Sequence, residues 1–372
     1  MNPGKVIIAP DSFKGALTSR EVADIIGEEV RTAFPGCEVI KMPIADGGEG
    51  SIDTILSALG GEVFKAQVLS PDDRQITAGY GITGNGTAIL EMAQSSGITK
   101  QDGLHPMTSS TFGFGQLISA ALERGASDFI LCIGGSATTD GGCGMAAALG
   151  VSFIDEKGES FVPCGEKLSK VARIDTSALD ERIQNCSFTV MCDVENPLFG
   201  INGAAYVYSP QKGANPEQIL LLDKGLRALG NLLHELYGKD FSSTPGAGAA
   251  GGLGAGCMAF LGANLLRGID AILELCSFKK HVAGADLVLT GEGKLDSQSF
   301  DGKVLSGLLR EAGGVPVWSI CGVSDCGEKV LRRHGIKVFE ASEGVSVEES
   351  MAAPKKYLAI AAKKAMQALS RV

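Results

Sequence analysis

The chain has 372 residues, of which 33 are basic and 43 acidic, and its formal net charge is -10. This acidic balance repels nucleic acid and anionic membrane surfaces, so neither is expected as a partner. No apolar run approaches the roughly 18 residues that span a bilayer, which predicts a soluble, cytoplasmic protein.

The length and the cysteine usage indicate the class of protein. A chain of this length usually forms two domains. Its 51 glycines follow no repeat and 44% of its residues are apolar, which is typical of a globular protein with many tight loops. The ten cysteines contain no C-x-x-C pair, and the four histidines are dispersed. We therefore expect buried, reduced thiols and no zinc site.

Both ends of the chain alternate strands with helices. Strands are predicted at residues 6–9, 39–44, 287–290, 315–320 and 337–340, and each is followed by helical or loop-then-helix sequence. Such alternation implies a parallel sheet with right-handed crossovers. The predicted fold is therefore α/β, with a flavodoxin-like doubly wound domain built from residues 1–64 and 283–372.

The middle of the chain, residues 65–282, is predicted to form an inserted second α/β domain with a mixed sheet. Residues 62–91 contain three extended runs separated by turn residues, which is typical of a meander. Further strands are predicted at residues 129–133 and 188–192. A long helix is predicted after Asn215, which has the form of an N-cap. The active site is expected in the cleft between the two domains.

A glycine-rich loop, GGSATTDGG, follows the predicted strand at residues 129–133. Ligands of α/β proteins lie at the carboxyl ends of strands. Glycines allow the backbone to approach a ligand closely, and hydroxyl groups add donors, as a phosphate requires. The candidate phosphate-binding residues are Gly134, Gly135, Ser136 and Thr138. A tight turn that only lets helix and strand pack closely is the alternative.

A second glycine-rich stretch, GAGAAG at residues 246–251, fits the G-x-G-x-x-G pattern of dinucleotide-binding proteins. That pattern should directly follow a strand, whereas the residues before it look like a loop after a long helix. An NAD-dependent dehydrogenase therefore stays only an alternative. The exposed amides of Gly246, Gly248, Gly251 and Gly252 are candidates for binding a nucleotide phosphate, and a helix-packing device is the other interpretation.

Two common catalytic motifs are missing. G-x-x-x-x-G-K-[ST] is absent, which argues against a P-loop NTPase. Thr138 stands where a G-x-S-x-G motif needs its last glycine, which argues against a serine hydrolase.

Carboxylates and lysines recur in the glycine-rich loops. Phosphoryl transfer uses backbone amides, lysine and Mg²⁺ to stabilise charge, together with a carboxylate that takes the acceptor's proton. The candidates are Asp11, Lys14, Asp46, Glu49, Asp193, Lys212, Glu292, Lys294, Asp296 and Lys303. Each of them, taken alone, is also explained as a solvated loop charge or a helix cap.

A series of stretches along nearly the whole chain resembles the type-1 glycerate kinase family of bacteria. They are APDSFKGALTS, ADGGEG, EMAQSSG, IGGSATTDGG, CDVENPLFG, SPQKGA, PGAGAAGGLGAG and TGEGKLDSQSFDGK. The resemblance implies phosphorylation of D-glycerate by ATP with Mg²⁺, in glyoxylate or sugar-acid catabolism, with 2-phosphoglycerate as the product. The alternatives are 3-phosphoglycerate as the product, or a hinged two-domain protein that binds a small hydroxy acid without reacting it.

The resemblance also suggests roles for individual residues. The aspartate of CDVxNPL falls on Asp193, which also follows a predicted strand and is expected to accept the substrate's hydroxyl proton. Lys294 is the second catalytic candidate. The expected substrate-binding residues are Asp11, Ser12, Lys14, Lys212, Gln298 and Ser299. Because Mg²⁺ prefers carboxylate oxygen, its expected ligands are Asp46, Glu292 and Asp296.

Overall fold

The structure is a computed structural model that describes residues 2–42, 44, 50–300 and 304–371. Its strands are β1 (Lys5–Ile8), β2 (Glu38–Lys41), β3 (Gly61–Leu69), β4 (Gln75–Thr83), β5 (Thr87–Glu91), β6 (Asp128–Cys132), β7 (Ser152–Ile154), β8 (Ser160–Phe161), β9 (Arg173–Asp175), β10 (Ser187–Met191), β11 (Asn264–Leu266), β12 (Leu287–Thr290), β13 (Lys294–Leu295), β14 (Val317–Cys321), β15 (Val323–Ser324) and β16 (Lys337–Glu340).

Its α-helices are α1 (Ser19–Ala33), α2 (Ser51–Leu59), α3 (Ala93–Ser96), α4 (Phe112–Glu123), α5 (Cys143–Ala148), α6 (Ala204–Tyr208), α7 (Pro216–Tyr237), α8 (Ala249–Leu261), α9 (Gly268–Leu275), α10 (Phe278–Val282), α11 (Val304–Glu311), α12 (Glu328–His334), α13 (Val347–Ala352) and α14 (Pro354–Ser370). Short 3₁₀ helices cover Ile98–Lys100, Gly165–Lys170, Glu181–Asn185, Pro210–Lys212 and Ser297–Phe300. In the part of the chain that the structure describes, no helix has the length and apolar character needed to cross a membrane.

The chain divides into two compact units. The first comprises Met1–Asp46, Ser57–Leu59 and Gly268–Val372, and the second comprises Gly47–Leu56 and Gly60–Arg267. Both ends of the chain thus contribute to one unit and the middle forms the other.

The unit boundaries differ from the predicted ones: residues 50–56 and 60–64 lie in the second unit instead of the first, and residues 268–282 lie in the first instead of the second. Residues 61–64 belong to the second unit because β3 pairs with β4 along its whole length. Residues 268–282 belong to the first unit because α9 packs on α11. A Cβ on Gly307 would lie 2.3 Å from Cγ1 of Ile269, and Asp270 forms an ion pair with Arg310.

The first unit is built on a five-stranded parallel sheet. Its strand order is β16-β14-β12-β1-β2, which is the flavodoxin-like order and confirms the predicted fold class. The order reverses between β1 and β12, and this switch point is where doubly wound folds bind ligands. The loops that follow these two strands contain Asp11 and Glu292.

Helix α1 covers this sheet and begins where the sequence predicts. Thr18 accepts a hydrogen bond from the amide of Glu21, whose side chain accepts one from the amide of Thr18, so the capping box is formed. Val22 and Ile26 are fully buried and pack into the sheet's core with the apolar face of α14. Burial of this apolar face stabilises the helix more than its intrinsic propensity does.

The second unit contains a mixed sheet, as predicted, and this sheet has six strands in the order β11-β10-β6-β5-β4-β3. The strands from β11 to β5 are parallel, and β3, β4 and β5 form the antiparallel meander. The rings of Phe129 and Phe188 stack at 4.6 Å in the core between neighbouring strands. The parallel strands direct the loops after β5, β6 and β10 to the same edge of the sheet.

Helix α7 packs against the loop after β6, where a Cβ on Gly141 would lie 2.2 Å from Cδ2 of Leu229. Asn215 and Gln218 form a capping box, and Pro216 occupies the first helical position, as predicted. Leu222 and Leu226 are fully buried in its apolar stripe, whereas Leu236 in the last turn is 40% exposed. The stripe therefore ends one turn before the helix does.

Candidate active site

The loop between β6 and α5, residues 134–142, is named the Ser136 loop here. Its first part is open to solvent: Gly135 is exposed, and Gly134 and Ser136 are partly exposed. Gly135 has a φ of 74°, a conformation that favours glycine. From Ala137 onward the loop is buried. The loop thus presents a short glycine-rich arm, residues 134–136, on a buried base.

Asp140 anchors the buried base of the Ser136 loop. Its carboxylate accepts hydrogen bonds from the amide of Thr111 at 2.7 Å and from the Thr111 hydroxyl at 2.8 Å. It also accepts from the amides of Gly142 at 3.1 Å and Gly144 at 3.2 Å. Burial raises the pKa of Asp140, and these hydrogen bonds act in the opposite direction.

Lys212 lies beneath the same loop and is 1% exposed. Its ammonium donates to Oγ of Ser136 at 2.8 Å and to the carbonyl oxygen of Thr138 at 2.6 Å. Burial lowers the pKa of Lys212 to about 7, while the charge of Asp140 acts to raise it. We expected this lysine to bind substrate, whereas its hydrogen bonds among the described residues are to the loop.

The hydroxyl groups of two adjacent threonines point away from solvent. Thr138 is fully buried, and in the described residues its Oγ1 has no hydrogen-bond partner. The Thr139 hydroxyl lies 3.2 Å from the Ser209 hydroxyl. The expectation that the Thr138 side chain meets a phosphate is therefore at odds with its buried position, which results from the loop turning inward after Ser136.

The glycines of the GAGAAG stretch are buried between two loops. A Cβ on Gly251 would lie 2.0 Å from the Thr138 carbonyl oxygen, and one on Gly248 would lie 2.2 Å from the Pro197 carbonyl oxygen. A Cβ on Gly252 would lie 2.9 Å from Cα of Gly141. Only glycine fits such close backbone contacts.

Gly246 is packed against side chains, since its Cβ would lie 2.8 Å from Cδ2 of Leu265 and 3.0 Å from Sγ of Cys192. Among the described residues, no strand directly precedes this stretch, because a loop joins α7 to α8. This arrangement favours the packing interpretation of Gly246, Gly248, Gly251 and Gly252 over direct contact with a ligand. It also lacks the strand that a dinucleotide fingerprint requires.

Asp193 is exposed and follows β10, the neighbour of β6 in the sheet. The turn after it is held by Asn196, whose side chain donates to the carbonyl of Asn202 at 2.8 Å and accepts from the Tyr208 hydroxyl at 2.5 Å. The Asn196 carbonyl accepts from the amide of Gly248 at 2.9 Å. The exposed Asp193 side chain therefore lies on a loop whose backbone is held in place by the hydrogen bonds of Asn196.

The remaining described candidates lie in the first unit, in the loops after β1 and β12. The amide of Asp11 donates to the Gly291 carbonyl at 2.8 Å, and the Asp11 carboxylate accepts from the amide of Ser12 at 2.6 Å. A Cβ on Gly293 would lie 3.4 Å from Cα of Phe13, so the two loops touch. Lys14, in the same loop as Asp11, is exposed.

Ser299 links the Glu292 carboxylate to the backbone of Asp296 in the loop after β12. Its hydroxyl donates to Glu292 at 2.7 Å and accepts from the amide of Asp296 at 3.2 Å. The Asp296 carboxylate accepts from the amide of Gln298 at 2.9 Å. Lys294 forms a 2.6 Å ion pair with Asp325 at the surface.

Three of the candidates, Asp46, Glu49 and Lys303, lie outside the described residues. Within the described residues, no cluster of three or more His, Cys, Asp or Glu side chains has the arrangement of a metal site. Mg²⁺ in kinases commonly needs only one or two carboxylates, because substrate phosphates and water supply its other ligands. Glu292 and Asp296 are oxygen donors of the type that Mg²⁺ prefers.

Glu91 is a buried carboxylate that the sequence analysis did not single out. It ends β5, is 1% exposed, and accepts from the amide of Ile52 at 2.8 Å and from Gln94 at 3.2 Å. Burial raises the pKa of Glu91. Its position at the first turn of α2 indicates that it holds the start of this helix. Its place in the EMAQSSG stretch was the available signal.

Comparison with known proteins identifies the family of this chain. A family model described as the glycerate kinase family matches residues 6–370. The chain is 45% identical over 336 residues to a glycerate kinase of Halalkalibacterium halodurans, and 42% identical over 340 residues to the glycerate 2-kinase of Escherichia coli. Each alignment covers 89% of this chain and 88% of the relative.

A solved structure is similar over the full length. It is the crystal structure of a Salmonella typhimurium LT2 protein that bears the provisional name glycerate kinase 2. The two chains are 37% identical and superpose with a TM-score of 0.89, over 100% of this chain and 99% of the other. The chain therefore belongs to the glycerate kinase family, and it is a kinase.

Proposed function

We propose that the protein transfers the γ-phosphoryl group of ATP to D-glycerate and that the product is 2-phosphoglycerate. The relative from Escherichia coli that bears the name glycerate 2-kinase supports the choice of product. The proposal depends on the structure of the Ser136 loop, in which an exposed glycine-rich arm is held by the buried side chains of Lys212 and Asp140.

In this proposal, the arm formed by Gly134, Gly135 and Ser136 binds the phosphates of ATP. Backbone amides of glycines and a serine hydroxyl are suitable donors for phosphate oxygens. Thr138 and the four glycines of residues 246–252 are buried and do not reach solvent. Their proposed role is to pack against the base of the loop and so to support the arm.

Asp193 is proposed as the general base. As the bond between the glycerate oxygen and the γ-phosphorus forms, the bond to ADP breaks and the hydroxyl proton passes to the Asp193 carboxylate. Asp193 is exposed on a loop that the hydrogen bonds of Asn196 hold in place. This supports the role, since a general base must reach the hydroxyl proton without a large rearrangement.

The first unit supplies the remaining proposed contacts. Lys294 is proposed to neutralise charge on the transferred group, and Asp11, Ser12, Lys14 and Gln298 to bind substrate. Glu292 and Asp296 would hold Mg²⁺, which when bound offsets the negative charge of the phosphates. Ser299 is buried and donates to Glu292, so its proposed role is to orient that carboxylate.

One assay separates this function from its alternatives. The protein is mixed with ATP, Mg²⁺ and D-glycerate, ADP release is followed, and the product is identified by phosphorus NMR. The proposal predicts ADP release that depends on glycerate and a phosphate on the C2 oxygen. A phosphate on C3 would correct the product, no ADP would favour a binding protein, and a change of nicotinamide absorbance with NAD would favour a dehydrogenase.

A further inference from the structure

We propose that Lys212 is a positioning residue, which acts on phosphoryl transfer through Ser136 and Thr138 and touches neither substrate. This inference rests on the proposed kinase function and assigns one of its residues a different role from the one that the sequence suggested. Burial, hydrogen bonds and charge support a positioning role for Lys212 in place of direct substrate binding.

Burial comes first. The Lys212 side chain is among the largest fully buried side chains in the described residues, and its ammonium is enclosed with the rest. Lysines that bind substrate usually keep the ammonium at a surface, on a flexible stem. Lys212 instead ends a 3₁₀ turn, Pro210–Lys212, that Gly213 closes in a left-handed conformation with a φ of 94°. The turn aims the side chain inward.

The hydrogen bonds come second. The ammonium holds the loop at two points, the Ser136 hydroxyl at 2.8 Å and the Thr138 carbonyl at 2.6 Å. These points flank Ala137, where the loop turns from its exposed arm to its buried base. The Thr138 hydroxyl makes no hydrogen bond to any described residue and adds nothing to this hold. Lys212 therefore fixes the direction in which the arm leaves the base.

Charge comes third. Burying an ammonium is unfavourable, and an apolar side chain of similar volume would often be at least as stable at such a place. The charge nonetheless stands behind the amides of residues 134–136, where it adds positive potential to an arm proposed to bind phosphates. The charged group that acts on Lys212 is Asp140, which raises its pKa but does not cancel the effect of burial.

A consequence is that the arm should respond to pH. Burial lowers the pKa of Lys212 to about 7, so the ammonium loses its proton within the range in which kinases are assayed. Loss of this charge weakens the attraction for ATP but leaves glycerate binding nearly unchanged, because Lys212 has no contact with glycerate in this account. A direct ligand of glycerate, the role that the sequence suggested, would show the opposite pattern.

The test measures kcat and the two KM values between pH 6 and pH 9 for four proteins: wild type, Lys212→Met, Ser136→Ala and the control Lys224→Met. Lys224 is an exposed lysine of α7 in the same unit. In the wild type, we expect KM for ATP to rise several-fold as pH passes about 7. In Lys212→Met it should be raised about 10-fold at pH 6 and should no longer depend on this ionisation.

Ser136→Ala should raise KM for ATP while keeping the pH dependence, because the ammonium is still present. The proposal is overturned if Lys212→Met raises KM for D-glycerate and not for ATP, or if it keeps the wild-type pH profile. If Lys212→Met does not fold, the Ser136→Ala profile and amide hydrogen exchange of residues 134–142 across pH 7 in the wild type decide instead. Constant exchange protection and a flat KM for ATP would overturn the proposal.

The kinase function and this role can fail separately. If the wild type releases no ADP with D-glycerate, the proposed function fails. Titration calorimetry of ATP alone against the same four proteins would then still show whether the affinity for ATP depends on Lys212.

Discussion

Asp140 and Thr111 are 29 residues apart in the chain, yet they are joined by two hydrogen bonds, one from the Thr111 amide and one from its hydroxyl. The same hydroxyl accepts a third hydrogen bond from the amide of Met145 at 2.8 Å. One threonine therefore ties the start of α4 to the base of the Ser136 loop and to α5. The stability of the loop depends on this clamp.

Thr111→Val keeps the shape of the side chain and removes its hydroxyl. The carboxylate of Asp140 loses one donor, and the buried amide of Met145 loses its acceptor. We expect the free energy of unfolding to fall by about 2–3 kcal/mol in urea denaturation. The matched change at an exposed position, Thr77→Val, should cost no more than about 0.5 kcal/mol. Equal losses in the two variants would contradict the clamp.

Gly251→Ala tests the contact between α8 and the Ser136 loop. Gly251 has a φ of 71°, and its added Cβ would lie 2.0 Å from the Thr138 carbonyl, so backbone must move. Gly262→Ala is the control, because Gly262 has a φ of 65° but no atom within 4 Å of its Cβ position. The control should lose about 1–2 kcal/mol of stability from strain alone.

Gly251→Ala should lose about 2–5 kcal/mol, since overpacking adds to the strain, and KM for ATP should rise with it. Denaturation and steady-state kinetics of both variants measure the two effects. If both variants lost the same free energy of unfolding and neither changed KM for ATP, the close packing of α8 against the loop would not matter for ATP binding.

Lys212→Met should change how stability depends on pH. Burial lowers the pKa of Lys212 from 10.5 to about 7 in the folded protein, so between these values the unfolded chain holds a proton that the folded chain has released. Lys212 therefore makes the free energy of unfolding of the wild type rise with pH, by at most about 1.4 kcal/mol per pH unit. Lys212→Met lacks this gain. Urea denaturation at pH 7, 8 and 9 should therefore show the free energy of unfolding of the wild type rising with pH relative to that of the variant. Parallel pH curves would show that the pKa of Lys212 is not lowered in the folded protein.

Asp193→Asn tests the proposed general base. We expect kcat to fall by about 10²- to 10⁴-fold because the amide cannot accept the hydroxyl proton. The fold should be retained, since the side chain is exposed. Glu195→Gln, two residues further along the same exposed loop, is the control and should keep kcat within about twofold of the wild type. Normal turnover in the Asp193 variant would remove the assignment.

Lys294→Gln separates catalysis from stability. The ion pair between Lys294 and Asp325 is at the surface, with both side chains 56% exposed, and solvent screening leaves pairs of this kind little effect on stability. We expect the variant to unfold at nearly the wild-type urea concentration but to lose at least about tenfold in kcat/KM. Asp325→Asn breaks the same pair and keeps the lysine, so its activity should be far higher. Similar losses in both variants would mean that the ion pair, and not the lysine charge, matters.

Much of the fold could be predicted from local sequence. Strands followed by glycine-rich loops and capped helices define the alternation, and the capping boxes at Thr18 and Asn215 are visible as short patterns. The two- and three-residue strands of the small β8-β7-β9 sheet were missed, because so short a run has no measurable period.

The candidate site was only partly predictable. The glycines of the Ser136 loop and the exposed Asp193 follow from their place after strands. The burial of Lys212 does not, since a lysine in a glycine-flanked turn is normally solvated. The partnership of Thr111 with Asp140 depends on tertiary packing alone. Glycine spacing also could not separate a phosphate-binding from a packing role at Gly251, because both roles require the same absence of a side chain.

The most direct test of the account is a crystal structure of the protein with D-glycerate and a non-hydrolysable analogue of ATP. We predict the phosphates within hydrogen-bonding distance of the amides of Gly134 and Gly135, and the C2 hydroxyl of glycerate within hydrogen-bonding distance of the Asp193 carboxylate. A structure in which both molecules are bound and neither lies at these residues would contradict it.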